Sequence, residues 1–159
     1  MGEIHPRAAE FRDRAADRYG LRVDVEEFPD GTETAADAAA ALGCAVGRIA
    51  SSLVFVAGGE PVVVVTSGAN RVDEVRLAAL LGVDRVATAD PDRVRAATGW
   101  AIGGVPPVCH ETDLPVFVDR SLLDHETVYA AAGTPTTVFE GDPDRIRRLA
   151  DARVVDVAD

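Results

Sequence analysis

The sequence predicts a mixed α/β fold, with a central, mostly antiparallel twisted sheet or barrel surrounded by helices. Two β-branched runs, SLVFVA (52–57) and PVVVVTSG (61–68), are separated only by Gly58-Gly59-Glu60, which is hairpin chemistry. The remaining strand candidates do not alternate regularly with helices, as a doubly wound fold would require. Helix start and stop residues bracket several short amphipathic segments between them.

Along the chain, Ile4, Ala8, Phe11, Ala15 and Tyr19 recur at steps of three and four, one face of a helix that Gly20 stops. LRVDVEEF (21–28) alternates as a strand, and Pro29-Asp30-Gly31 is a turn. Thr34 caps a helix, with Asp37 as its capping-box partner, and Gly43 ends it after Leu42. Val46 to Ser51 is read as a short helical turn ahead of the hairpin. The Val62–Val65 run has no polar alternation, so it is placed centrally, buried on both faces. A helix is expected from Asn70 or Arg71 through Leu81, then a short strand in VDRVATA. The octets DPDRVRAA (90–97) and DPDRIRRL (142–149) are two copies of one good helix start, an Asp cap followed by proline. Between them lie a glycine–proline loop (101–110), a strand in LPVFVD (114–119) and weaker strands at 127–131 and 136–139. ARVVDV closes the chain as a strand.

The 159 residues suit one domain, expected to span 1–159, with 47% hydrophobic residues to fill a core. No apolar run is long enough to cross a membrane, and the charged first residues resemble no secretion signal, so the expected location is cytoplasmic and no membrane partner is expected. Cys44 and Cys109 form no CxxC pair, and His5, His110 and His125 have no ligand spacing; no metal is expected. Net charge is −11, and every basic residue is arginine. That balance argues against DNA or any broad nucleic-acid footprint, while leaving room for a partner held by a few local arginines. It suits a high-salt interior, and a GC-rich genome would favour the same residues.

Three places could carry chemistry. In Gly103-Gly104-Val105-Pro106-Pro107, adjacent glycines allow close backbone approach and could aim two amides at a developing oxyanion. On the residues alone, a tight turn between helix and strand is the simpler reading. His110, Asp119 and Ser51 or Ser52 could be assembled into a triad, but no GxSxG elbow is present, and a hydrogen-bonded structural histidine is the commoner outcome. Thr66-Ser67-Gly68-Ala69-Asn70, at a strand end, could line a small polar pocket or cap the next helix; the two readings weigh equally. No phosphate loop or GxGxxG occurs, so ATP and NAD are not indicated and no cofactor is expected.

Taken in order, TAADAAAALGC (34–44), IASSLVFV (49–56), VVVVTSGANRVD (64–73), RVATADPDRVRAATGWAIGGVPPVCH (85–110), LPVFVD (114–119) and AAGTPTTVFEG (131–141) resemble the YbaK/prolyl-tRNA-synthetase-associated editing domains. The most specific stretch is TG-x-x-IGG-x-x-P, Thr98 to Pro107. The resemblance implies a free-standing hydrolase that clears a mischarged small amino acid from tRNA. Its partners would be a tRNA acceptor end and an aminoacyl-tRNA synthetase. It implies that Gly103 and Gly104 hold the carbonyl through their amides; in a hydrolase built this way Ser51 and His110 would orient water or the terminal nucleotide. Thr66, Ser67, Gly68, Asn70, Pro107, Asp119 and Gly133 would then line the substrate site. Two departures stand out. Ser51 occupies the position where many active members carry lysine, and Cys109 replaces a glycine. Loss of the lysine opens a second reading, a catalytically silent aminoacyl-binding or regulatory domain.

Overall fold

The computed structural model describes residues 4–28 and 34–157; the turn expected at Pro29-Asp30-Gly31 lies outside them. Five α-helices and eight strands make up the described fold: α1 (Pro6–Tyr19), β1 (Val25–Glu27), α2 (Ala35–Leu42), β2 (Ile49–Ala57), β3 (Glu60–Ser67), α3 (Glu74–Leu81), β4 (Val86–Thr88), α4 (Pro91–Thr98), β5 (Val116–Asp119), β6 (Val128–Ala131), β7 (Thr137–Gly141), α5 (Pro143–Leu149) and β8 (Arg153–Val155). Short 3-10 turns occupy Val46–Arg48 and Arg120–Asp124.

The strands join in the order β1-β7-β6-β2-β3-β5-β8, with β4 attached to β2. The pairs β1/β7, β7/β6, β2/β3 and β2/β4 are antiparallel, while β6/β2, β3/β5 and β5/β8 are parallel. The sheet is therefore mixed, antiparallel by a narrow margin, and it ends at β1 and β8 instead of closing into a barrel.

Local chemistry sets the element ends. Ala57 pairs with Glu60, leaving Gly58 and Gly59 as a two-residue turn, both at positive φ (57° and 86°). That is the conformation a tight hairpin needs, and glycine adopts it without a Cβ penalty. Thr34 Oγ1 accepts from Asp37 N, and the Asp37 carboxylate accepts from Thr34 N, so the capping box is complete. Asp90 and Asp142 each cap a helix that continues with proline. Several expectations shift. The turn expected over Val46 to Ser51 ends at Arg48, and Ile49 to Ser51 join β2. The third helix starts at Glu74, because Asp73 Oδ1 accepts from Val75 N and Arg76 N; the Asn70 side chain is drawn elsewhere. Of the predicted strand 21–28, Val25–Glu27 pairs with β7 and Phe28 N donates to Thr136 O, while Leu21 and Val23 are buried in the core outside the sheet.

Val62–Val65 is buried throughout, as its unbroken apolar run requires. Val63 and Val65 face one core, with Phe11 and Ala15 of α1, Val94 of α4, Trp100 and Ile146 of α5. Val62 and Val64 face the other, with Leu77 of α3, Phe117 and Val157. A smaller cluster joins Ala38 and Ala39 of α2 to Ile49. Both sides of the sheet are thus covered, and strand β2 runs between them.

Candidate active site

The geometry of β2 creates the site. One edge of β2 is occupied along its length by β3, from Ala50 to Ala57. The other edge has two partners: β6 at Ile49 and Ala50, and β4 at Phe55 to Ala57. Between them the edge forks open. Residues 51 to 54 lie at the fork, and all four line a cavity of about 260 Å³. Thr34, Ala35 and Ala38 of the α2 start form one wall, and Tyr129, Ala131, Thr137 and Val138 of β6 and β7 form another. Thr88, Ala89 and Val94 contribute beside β4; Ile102 and Gly103 of one loop and Pro135 of another lie exposed at the mouth, with buried Val105 behind them. The small side chains of Ala35, Ala38, Ala89 and Ala131 leave the space that larger residues would fill. Leu53 and Ile102 are exposed at the rim (39% and 50%), which gives the entrance an apolar lip.

The two glycines of the loop do different work. Gly104 N donates to Ala101 O at 2.9 Å, closing a turn whose third residue, Gly103, has φ 84°. Positive φ at that position is what a type II turn demands. A Cβ on Gly104 would sit 2.6 Å from the Thr134 backbone, so glycine there permits close packing of two loops. Of the two expected oxyanion donors, the Gly104 amide is therefore consumed internally. Gly103 lines the cavity, lies exposed at its mouth, and its N–H has no acceptor among the described residues.

The loop is held rigidly from behind. Thr98 Oγ1 donates to Val94 O and accepts from Trp100 N, and Trp100 Nε1 donates to Cys109 O at 3.0 Å. The Arg7 guanidinium lies 4.2 Å over the Trp100 ring, and the ring of Phe11 meets it edge-on. Gly133 packs against the same indole, where a Cβ would come within 2.9 Å of it; Gly133 supports the loop and does not line the cavity. Cys109 has φ 68°, a left-handed conformation that glycine adopts more easily and that a cysteine holds at some strain. Burial pushes its thiol up to about 11, which leaves it protonated and inert.

His110 does not join the site. It lies in a separate cleft with Arg18 and Tyr19, and its Nε2 meets Pro106 O at 2.8 Å. Burial lowers its pKa, against the opposing pull of that hydrogen bond, so the ring is neutral and donates to the carbonyl. Pro107, buried, lines that cleft and not the fork.

The polar strand end is also separate. Asp119 Oδ2 accepts from Ser67 N (3.2 Å), Asn70 Nδ2 (3.0 Å) and Thr66 Oγ1 (3.3 Å), while Oδ1 accepts from Ser121 N (3.0 Å). Ser67 Oγ donates to Gly47 O, and Gly68 packs so tightly that a Cβ would meet Val46 O at 2.6 Å. Burial would raise the Asp119 carboxyl, but hydrogen bonds from Asn70, Ser121 and Ser67 outweigh it and hold the pKa below the usual value. Thr66, Ser67, Gly68, Asn70 and Asp119 are thus a sealed structural network, and none of them lines the fork cavity.

Ser51 does line it, half-buried. So does Ser52, which the sequence offers only as an alternative to Ser51 in a triad that the structure does not assemble; a hydroxyl on the inward-facing phase of an otherwise apolar strand is the signal that marks it. Arg48, near Ser51 in sequence, is engaged outside: it bonds to Thr127 O and Glu140 and stacks 5.1 Å over Tyr129. Among the described residues lining the cavity, Tyr129 is the one ordinary titrating side chain. Its phenol is pushed up by burial and by Glu140 and stays protonated. Among the described residues, no group of His, Cys, Asp and Glu side chains could hold a metal.

Comparison with known proteins agrees with this architecture. The family described as "Aminoacyl-tRNA editing domain" matches residues 29–149. The uncharacterized protein YwhH of Bacillus subtilis is 32% identical over 132 residues, covering 82% of this chain and 83% of YwhH. A proline–tRNA ligase of Nitratidesulfovibrio vulgaris is 33% identical over 133 residues, covering 81% of this chain but only 23% of the ligase. A crystal structure provisionally described as a trans-editing enzyme for prolyl tRNA synthetase superposes with a TM-score of 0.90 at 38% identity, covering 99% of both chains. The forked sheet, the Thr98–Pro107 loop and a match over most of the chain lead to one assignment: the protein belongs to the aminoacyl-tRNA editing domain family.

Proposed function

We propose that this protein hydrolyses the ester joining a mischarged small amino acid to tRNA, and that it acts in trans on tRNA charged by prolyl-tRNA synthetase. The observation that carries the reading is the Gly103 N–H, unengaged at the mouth of a cavity of about 260 Å³. That space suits a small aminoacyl group, and its apolar lining excludes charged side chains. The likeness to a structure described as a prolyl-tRNA-synthetase trans-editing enzyme supports the choice of tRNA.

In this mechanism a water oxygen bonds to the ester carbonyl carbon, and the carbonyl oxygen becomes an oxyanion facing Gly103 N–H. One such donor contributes roughly 10²–10³ in rate. The bond from carbon to the ribose oxygen then breaks, and that oxygen takes up a proton. Among the described residues, the cavity offers no carboxylate or imidazole as base. The proton therefore leaves through the neighbouring ribose hydroxyl or solvent, while Ser51 Oγ orients the attacking water. A size-limited pocket separates substrates differing by one methylene by only about 1–3 kcal/mol, so discrimination by fit alone is modest.

The test is release of amino acid from tRNAPro charged with alanine, serine, cysteine or proline, at low and at molar KCl. Small amino acids should be released in preference to proline. If no charged tRNA is deacylated in either salt, the protein is a binding domain and the hydrolase reading fails.

A further inference from the structure

We infer that the Ser52 hydroxyl is the specificity-determining group of the fork cavity, selecting an aminoacyl group with a β-hydroxyl, such as serine, over alanine. This rests on the editing reading above and deepens it.

Other buried hydroxyls show what a structural one looks like. Thr66 bonds to Asp119, Ser67 to Gly47 O, Thr98 to Val94 O, and Thr134 to Thr137. Ser52 is 9% exposed, and its Oγ has no hydrogen-bond partner; it is the one buried side-chain polar atom so placed among the described residues. An unpaired buried hydroxyl is costly, whereas an apolar residue of that shape would be nearly neutral. The exception lies on the cavity wall and not somewhere in the packed core.

Position decides which part of the ligand meets it. Gly103, where the ester carbonyl is placed, is exposed at the mouth, while Ser52 belongs to the inner wall with Ala50, Val54, Val94 and Val105. The α-amine and the side chain leave the same α-carbon; the charged amine stays towards solvent at the mouth, and the uncharged side chain enters the apolar interior. A β-hydroxyl there either donates to Ser52 Oγ or accepts from it. A thiol does so weakly, and a methyl group leaves Ser52 unpaired. Sites holding a buried polar partner reject ligands that lack the matching group more strongly than size alone allows.

The experiment compares wild type with Ser52→Ala on seryl- and alanyl-tRNAPro. Wild type should favour the seryl ester by about tenfold or more, and Ser52→Ala should abolish that preference, chiefly by lowering the seryl rate. An unaltered seryl-to-alanyl ratio, or an equal loss on both esters, overturns the inference. Thermal unfolding of Ser52→Ala should occur at or above the wild-type temperature; a fall would reveal a structural partner for the hydroxyl and count against it. If wild type hydrolyses neither ester, the deacylase reading fails, and NMR titration with L-serinamide and L-alaninamide still tests Ser52. Tighter serinamide binding that Ser52→Ala removes supports the assignment; equal binding, or none, overturns it.

Discussion

Two regions of this molecule carry hydroxyls near the same end of the central hairpin, and they differ in how those hydroxyls are spent. At the end of β3, Thr66, Ser67 and Asn70 converge on the buried Asp119 carboxylate, which also accepts from Ser121 N. Directly across the hairpin, Ser51 pairs with Thr66 and Ser52 with Val65, yet both serines line open space. The first cluster is dense in polar residues that bond to one another. The second is almost wholly apolar and holds the unengaged groups. Satisfaction, and not polarity, separates structure from function here.

The largest effect expected from this contrast lies on the sealed side. Asp119→Ala would strip Ser67 N and Ser121 N of their acceptor and cost about 3 kcal/mol. Thermal denaturation should show a midpoint lower by about 6–12 °C, while deacylation at a temperature where the variant stays folded should match wild type. A matching loss of activity would mean the network reaches the site.

On the open side, Gly103→Ala should lower kcat by roughly a hundredfold. A Cβ there has room, 3.5 Å from Pro135, so the effect arises from the left-handed φ, which an L side chain resists, and from the displaced amide. Single-turnover deacylation with saturating aminoacyl-tRNA reads it, and a rate within a few-fold of wild type would remove this donor from the mechanism. Gly104→Val is not a cleaner probe of the loop: the Thr134 backbone leaves no room for its Cβ, so the variant should lose stability first.

The smallest effect concerns His110, which belongs to neither region. Its folded pKa is depressed, so the unfolded chain takes up a proton as pH falls below about 6.5 while the folded chain does not. The stability it contributes is complete above that pH and is lost as pH falls towards the folded value. Melting curves from pH 7.5 to 5.5 should therefore slope less in His110→Gln than in wild type. The pH profile of deacylation should be the same in both; a difference would return this histidine to the chemistry.

Much of the fold was legible because it is written locally. Thr34 with Asp37, Asp90 with Pro91, and Gly58-Gly59 specify caps and a turn through neighbours within a few residues. The third helix was misjudged at its start because Asn70, a good cap in isolation, is claimed by Asp119 and Ser121, residues far along the chain. The site was legible in the same proportion. The Thr98–Pro107 loop announced itself by glycines and prolines, but which amide was free depended on Ala101 O and Thr134. The cavity exists because β4 and β6 share one edge of β2 without meeting, and no local pattern records that pairing. The polar run from Thr66 to Asn70 misled for the same reason: it looks available to a ligand until a distant carboxylate gathers it.

The three-sided grip on β2 has a consequence for parity. Successive strand residues point to opposite faces, so a slide by a single residue would exchange the orientations of Ser51 and Ser52 and turn Leu53 into the core. Partners at both ends and along the opposite edge forbid that slide. The half-exposed leucine at the rim is then the visible sign of a phase that keeps one serine outward and its neighbour within.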